Sequence, residues 1–190
     1  MRRVILIGDS IRMGYQPYVA AALAGMAEVW GPEANGGPSA NVLGHLDEWV
    51  LDREADVIHV NCGLHDVARF AEQERRTHVT VDGYRANLRA IFERIVTGHR
   101  GLLIWARTTP VIEVRHDTTK DRWRYNGDIA RFNAAADELA GEFGLMRHDL
   151  HGIVMSAGPG NLLVDDGVHY TPAGSAMLGA AVARFVGRYL

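Results

Sequence analysis

The chain has 190 residues, a net charge of −3, and 47% hydrophobic and 23% charged residues. These figures fit one globular domain over residues 1–190 with a sizeable core, and they carry no electrostatic footprint of nucleic-acid binding. Cys62 is the single cysteine, which excludes an intrachain disulfide, and no stretch has the length and apolarity of a membrane span.

Val4 to Ile7 is an unbroken apolar run ending at Gly8, the pattern of a strand buried on both faces of a parallel sheet. With Met1-Arg2-Arg3 before it, this run is too short for the apolar core of a signal peptide, so the expected location is cytoplasmic. Gly8-Asp9-Ser10 follows. A serine at a strand-to-helix turn can present its hydroxyl beside the N–H groups of a helix start, which favour negative charge. The other reading of Ser10 is a helix N-cap. Asp9 suits bracing of the turn, because aspartate side chains bond nearby backbone N–H groups.

A helix is predicted over residues 18–26, a short strand over 28–30, and a helix over 40–51 with Leu43, Leu46 and Val50 at helical spacing. Asp56 to Asn61 repeats the buried-strand pattern, with Cys62 read as a small buried hydrophobe, and Gly63-Leu64-His65-Asp66 follows. The third clear strand is Leu102 to Ala106, after a helix over 81–96, and it runs into Arg107-Thr108-Thr109-Pro110. A polar connection over 113–125 carries Trp123 and Tyr125 near its end. A helix over 129–143 and a short strand over 145–147 come next. Asp166-Gly167-Val168-His169 precedes a last helix, with Thr171 as N-cap and Pro172 in the first turn. Strands alternating with helices predict a three-layer α/β/α sandwich on a parallel sheet, with the turns after the three clear strands on one rim. No Cys/His cluster has zinc-ligand spacing, and no metal or organic cofactor is expected.

The two end motifs supply a nucleophile, a base and an orienting carboxylate, the Ser-His-Asp logic of acyl transfer. In this reading His169 takes the proton of Ser10, and Asp166 orients the imidazole. The alternative is that Asp165-Asp166-Gly167 is only a turn and His169 a surface residue.

Over nearly its whole length the chain resembles the SGNH hydrolases, the GDSL-type esterase superfamily. The resemblance rests on the strand entering Gly8-Asp9-Ser10, on Gly63-Leu64-His65-Asp66 after a second strand, and on Asp-x-x-His before the Thr171-Pro172-Ala173-Gly174 helix start. It implies a flavodoxin-like fold, with Ser10 as nucleophile, His169 as general base and Asp166 as its partner. The family's third block is Gly-x-Asn-Asp, whose Asn donates to the oxyanion, and His65 stands in that place here. An imidazole N–H can donate as well, so His65 is a candidate oxyanion donor; otherwise it contacts substrate or packs. The second block normally offers a backbone N–H. If Asn35 opens that block the donor falls at Ala40, with Gly37 as the alternative, beside the N–H of Ser10.

Arg107, Trp123 and Tyr125 are candidate substrate-binding residues. Arg107 can bind an anionic or polar group or pair with a carboxylate, and the two aromatics can stack on sugar rings or anchor their loop. The expected activity is a serine esterase removing a short acyl group, acetyl, from a carbohydrate or other small-molecule ester. Alternatives are a lysophospholipase or thioesterase, an acyltransferase, and a non-hydrolytic binding member of the fold. Neither nucleic acid nor membrane is an expected partner, and the sequence leaves the oligomeric state open.

Overall fold

A computed structural model describes residues 1–70, 76–115 and 122–190. Five parallel strands form the sheet: β1 (Arg2–Ile7), β2 (Ala27–Trp30), β3 (Val57–Val60), β5 (Leu102–Ala106) and β7 (Met146–His148), in the spatial order β2-β1-β3-β5-β7. β1 pairs with β3 in the register Val4↔Val57 to Ile7↔Val60. Its residues Val4 to Ile7 are buried, as is all of β3, which is why neither alternates apolar with polar residues; β3 departs from an apolar run only at His59. A second, two-stranded antiparallel sheet pairs β4 (Arg69–Phe70) with β6 (Arg122–Trp123).

The helices are α1 (Ser10–Ala22), α2 (Ser39–Gly44), α3 (Val81–Gly98), α4 (Asn126–Glu142), α5 (Leu150–Ala157) and α6 (Pro172–Val186). α1 packs on α6, while α3 packs between α2 and α4, and the sheet is covered on both faces. The three-layer α/β/α architecture is therefore the observed one, with the flavodoxin-like strand order.

Tyr84, Leu88, Ile91, Phe92 and Ile95 form the buried stripe of α3, and Phe92 meets Trp105 of β5 edge-on at 5.5 Å between ring centres. Thr171 caps α6 by accepting from the Gly174 N–H, with Pro172 in the first turn. α5 was not expected, and two helices depart most from their expected bounds. α1 begins at Ser10 rather than at residue 18, because the Asp9 carboxylate caps it and the helix tolerates Pro17. The helix expected over 40–51 is two pieces, α2 and a wide π-helical turn over Asp47–Leu51, which still bury Val42, Leu46, Trp49 and Val50. Cys62 is fully buried, and burial raises its thiol well above the ordinary range, so it is an inert core residue.

One polar pair sits inside the apolar layers. His59 Nε2 and His148 Nδ1 lie 3.1 Å apart between β3 and β7, and His148 stacks on Phe185 of α6. Burial, and then the neighbouring His148, hold the His59 pKa well below its usual 6.5; burial brings His148 down to about 4. Both are neutral in the folded protein at pH 7, whereas an unfolded chain binds protons below 6.5. The contribution is therefore complete above 6.5 and is lost as the pH falls towards about 4. Each histidine should remove about 1.4 kcal/mol per pH unit across that window. Urea unfolding followed from pH 7 downwards is expected to give a steadily falling midpoint, and His148→Gln a shallower fall. An equal slope in the variant would rule out this origin of the acid sensitivity.

Candidate active site

Parallel pairing of β1 with β3 brings their carboxyl ends together at the point where the chain leaves to opposite faces, the switch point where such sheets bind ligands. Asp9 ends the β1 turn as the N-cap of α1, its Oδ1 accepting from the Ile11 N–H at 2.9 Å. Ser10 is thus the first helical residue and not the cap, which leaves its hydroxyl free to point outward. Its N–H belongs to the first turn of a helix, where donors have no intrahelical acceptor.

Ser10 Oγ lies 2.9 Å from His169 Nε2, and His169 Nδ1 lies 2.6 Å from Asp166 Oδ2. Because Asp166 accepts, Nδ1 carries the proton and Nε2 is the acceptor for the Ser10 hydroxyl. The other carboxylate oxygen of Asp166 accepts from the N–H groups of Val168 and His169, each at 2.9 Å. Burial acts to raise the Asp166 pKa, but the hydrogen bonds from the His169 ring and from the two backbone N–H groups outweigh it and hold the carboxyl well below its ordinary range. The loop carrying both residues is closed by Gly167 at φ 70° and by Val164 N–H donating to the His169 carbonyl at 2.9 Å. Ser10, Asp166 and His169, expected from opposite ends of the chain, are in one hydrogen-bonded line.

These groups open on a cavity of about 160 Å3. His65 and Asn35 line it beside Ser10 and His169; Leu64 and Val168 are its apolar walls; Asp9, Arg122 and Arg124 are its charged ones. Burial, the largest effect, together with Arg124, Arg122 and His169 lowers the His65 pKa, against the opposing pull of Asp9. A neutral imidazole there can donate a hydrogen bond without bringing a charge.

The turn bearing His65 is anchored on both sides. Gly63, at φ 145°, has Thr108 Oγ1 2.2 Å from where a Cβ would stand, so no other residue fits. Asp66 reaches beyond its own turn to the start of α2: its carboxylate accepts from the Ser39 N–H at 3.0 and 3.1 Å and from the Ser39 hydroxyl at 2.5 Å. The fully buried Arg12 reaches the Gly8 and Ala34 carbonyls, tying the Ser10 turn to the loop of Asn35.

The second-block expectations need correction. Ala40 sits exposed in the first turn of α2 and is not among the cavity's lining residues. The Gly37 N–H donates to Asn35 Oδ1 at 2.9 Å, and the Gly36 N–H donates to the Gly8 carbonyl at 3.1 Å. The residue this segment does bring to the cavity is Asn35. Its Oδ1 is held by Gly37, so the Nδ2 end is the one left to donate.

The substrate-binding expectations are corrected as well. Arg107 leaves the end of β5 away from Ser10: its guanidinium bonds Asp137 of α4, lies 3.3 Å from Asp149, and lines a separate cavity. Trp123 and Tyr125 are also absent from the Ser10 cavity, and Tyr125 lies under the Arg69 guanidinium at 5.4 Å. Their neighbours Arg122 and Arg124 take the place instead. The segment is extended at β6, so alternate residues share a face, and the two arginines face one way together. The alternation Arg-Trp-Arg-Tyr at 122–125 carries the signal that the two arginines share one face and the two aromatics the other. Among the described residues no group of His, Cys, Asp and Glu is placed to hold a metal, and no helix is long and apolar enough to cross a membrane.

Comparison with known proteins agrees with this architecture. The chain superposes over its full length on 98% of a lipase/acylhydrolase from Enterococcus faecalis, with a TM-score of 0.81 and 25% identity. It covers 97% of itself and 99% of the acetyl xylan esterase AlAXEase, with a TM-score of 0.77 and 20% identity. For an acetylxylan esterase from Geobacillus stearothermophilus the coverage is 98% and 94%, the TM-score 0.75 and the identity 19%. No protein of curated function matches the sequence. The model of the GDSL-like Lipase/Acylhydrolase family matches residues 6–177, from the strand before Ser10 to the helix after His169, and the chain belongs to that family of ester-hydrolysing enzymes.

Proposed function

We propose that the protein is a serine esterase that removes a short acyl group, acetyl, from a polar alcohol of the carbohydrate class. The observation that carries this reading is the line from Ser10 Oγ through the His169 ring to Asp166. His169 Nε2 accepts the Ser10 proton as Oγ attacks the ester carbonyl, and Asp166 stabilises the imidazolium that forms. The tetrahedral oxyanion is met by the Ser10 N–H, by the His65 ring N–H and by Asn35 Nδ2, in place of the backbone donor expected from Ala40 or Gly37. His169 then returns the proton to the departing alcohol, leaving acyl-Ser10. Water, deprotonated in turn by His169, releases the acid and restores the Ser10 hydroxyl. The reaction requires neither metal nor organic cofactor.

The size of the cavity supports a short acyl group. About 160 Å3 lies below the roughly 300 Å3 at which pockets for larger ligands begin, and Leu64 and Val168 offer an apolar wall to a methyl group. This favours acetyl over the long chains of a lysophospholipase or many thioesters. Two of the structures sharing the fold are named as acetyl xylan esterases, which accords with deacetylation. The polar alcohol half rests on the arginine-bearing wall rather than on Trp123 and Tyr125, which lie elsewhere.

Hydrolysis of p-nitrophenyl acetate is expected for the protein and absent for Ser10→Ala; equal rates would remove Ser10 from the mechanism. His65→Ala should lower kcat about 100-fold, with His65→Asn recovering much of the loss because an amide again reaches the oxyanion, and Asn35→Ala should also lower kcat. An unchanged kcat in His65→Ala would refute its role as a donor. Across p-nitrophenyl esters kcat/KM should fall from acetyl to octanoyl, and the reverse order would refute the short-acyl reading.

A further inference from the structure

The charged wall of the catalytic cavity has a composition that ester hydrolysis does not itself require. Two guanidinium groups, Arg122 and Arg124, face it against one carboxylate, Asp9. Several other arginines are matched with carboxylates: Arg2 with Asp56, Arg69 with Asp128, Arg85 with Glu138, Arg94 with Asp47, and Arg107 with Asp137. Among the described residues Arg122 has no such partner. Its one contact there is the face of Phe70, 5.9 Å from the ring centre, within the β4–β6 pair.

Arg124 is only 5% exposed, and its Nε donates to the Leu64 carbonyl, beside His65. Burial, then the adjacent Arg122, lowers its pKa to about 10, so Arg124 stays charged at neutral pH. Holding two like charges together in a partly enclosed cavity costs stability, a cost that an anionic ligand would offset. Asp9 and Asp166 both act on Arg124, but each carboxylate is already engaged, Asp166 by the His169 ring and two backbone N–H groups. Asp9 is 1% exposed, and its Oδ1 is engaged by the Ile11 N–H.

We propose that the ester substrate carries an anionic group, a carboxylate or a phosphate, on its alcohol half, and that Arg122 and Arg124 receive this group while the acyl carbon sits at Ser10. The inference rests on the esterase reading above, because it is the small acyl space that assigns the charge to the alcohol half. Guanidinium groups suit this task, since their N–H forks match the oxygens of a carboxylate or phosphate. The β4–β6 pairing presets them before substrate arrives.

The test compares acetates that differ in charge on the alcohol: 4-acetoxybenzoate and 4-acetoxyphenyl phosphate, each against phenyl acetate. Dividing the kcat/KM ratio of the protein by that of Arg122→Gln cancels leaving-group reactivity. The anionic preference is expected to drop about tenfold or more in the variant, as for loss of a charge-assisted hydrogen bond, and Arg122→Lys should keep part of it. Added salt should also erode the preference of the unaltered protein, a readout that does not depend on any variant folding. The stronger of the two anionic acetates identifies carboxylate or phosphate. An acyl-side pair, p-nitrophenyl hemisuccinate against p-nitrophenyl butyrate, should show no Arg122-dependent preference; if only this pair does, the placement on the alcohol half is overturned. Ratios that are the same in protein and variant, together with no salt effect, overturn the proposal.

Failure of the esterase reading is distinguished by equilibrium binding of the same acetates to Ser10→Ala and to Ser10→Ala combined with Arg122→Gln. Tighter binding of the anionic acetate that disappears with Arg122 sustains the anion site even without turnover, and equal binding refutes it.

Discussion

Parallel pairing of β1 with β3 is the constraint from which the rest of the site follows. The register Ile7↔Val60 sets the turn after β1 and the turn after β3 side by side. One carries Ser10 and the other His65. Neither strand could hold this position with exposed polar faces, because helices cover the sheet on both sides and both strands are buried there. Burial of the strands and adjacency of the two turns are thus one event, since the hydrogen-bond ladder that satisfies the buried backbone also aligns the strand ends.

The site is then stiffened by polar contacts that replace missing regular structure. Asp66 caps α2 from another element, Arg12 joins the Gly8 and Ala34 carbonyls, and Gly63 lets the third turn pass against Thr108. The last segment reaches back through α6, which packs on α1, so that His169 meets Ser10 across 159 positions of sequence. A pre-aligned hydroxyl, imidazole and carboxylate need no reorganisation when charge develops, which is where such sites gain most of their rate. The arginines of the small second sheet extend the same preorganisation to the far side of the cavity.

Family membership and the geometry of the site bear on different questions. The match over residues 6–177 makes the chain a member of the GDSL-like Lipase/Acylhydrolase family, whereas the solved structures below 25% identity show the shared fold alone. What lines the cavity, His65 and two arginines beside it, is read from this chain's own geometry.

Apolar runs at residues 4–7 and 102–106, and at 57–60 broken only by His59, determined the parallel, doubly covered sheet from sequence alone, because burial on both faces leaves no room for alternation. Asp-x-x-His and Gly-Asp-Ser likewise declared themselves, since a local turn orients an Asp and a His three residues apart. Local signals stopped where a side chain's direction depends on a distant partner. Arg107 was free to face either way until Asp137 of α4 drew it from the site, and Trp123 and Tyr125 lost the cavity to Arg122 and Arg124 once pairing with β4 set which face of the segment looks inward. The Ala40 and Gly37 donors failed for the same reason. Whether a backbone N–H is available depends on what else accepts it, and Asn35 and Gly8 are settled as acceptors only by the folded loop. Sequence determined the main strands and the two end motifs that carry Ser10, Asp166 and His169, which local periodicity and short spacings encode; the tertiary structure decided which charges and donors share the cavity, because that depends on contacts between residues tens of positions apart.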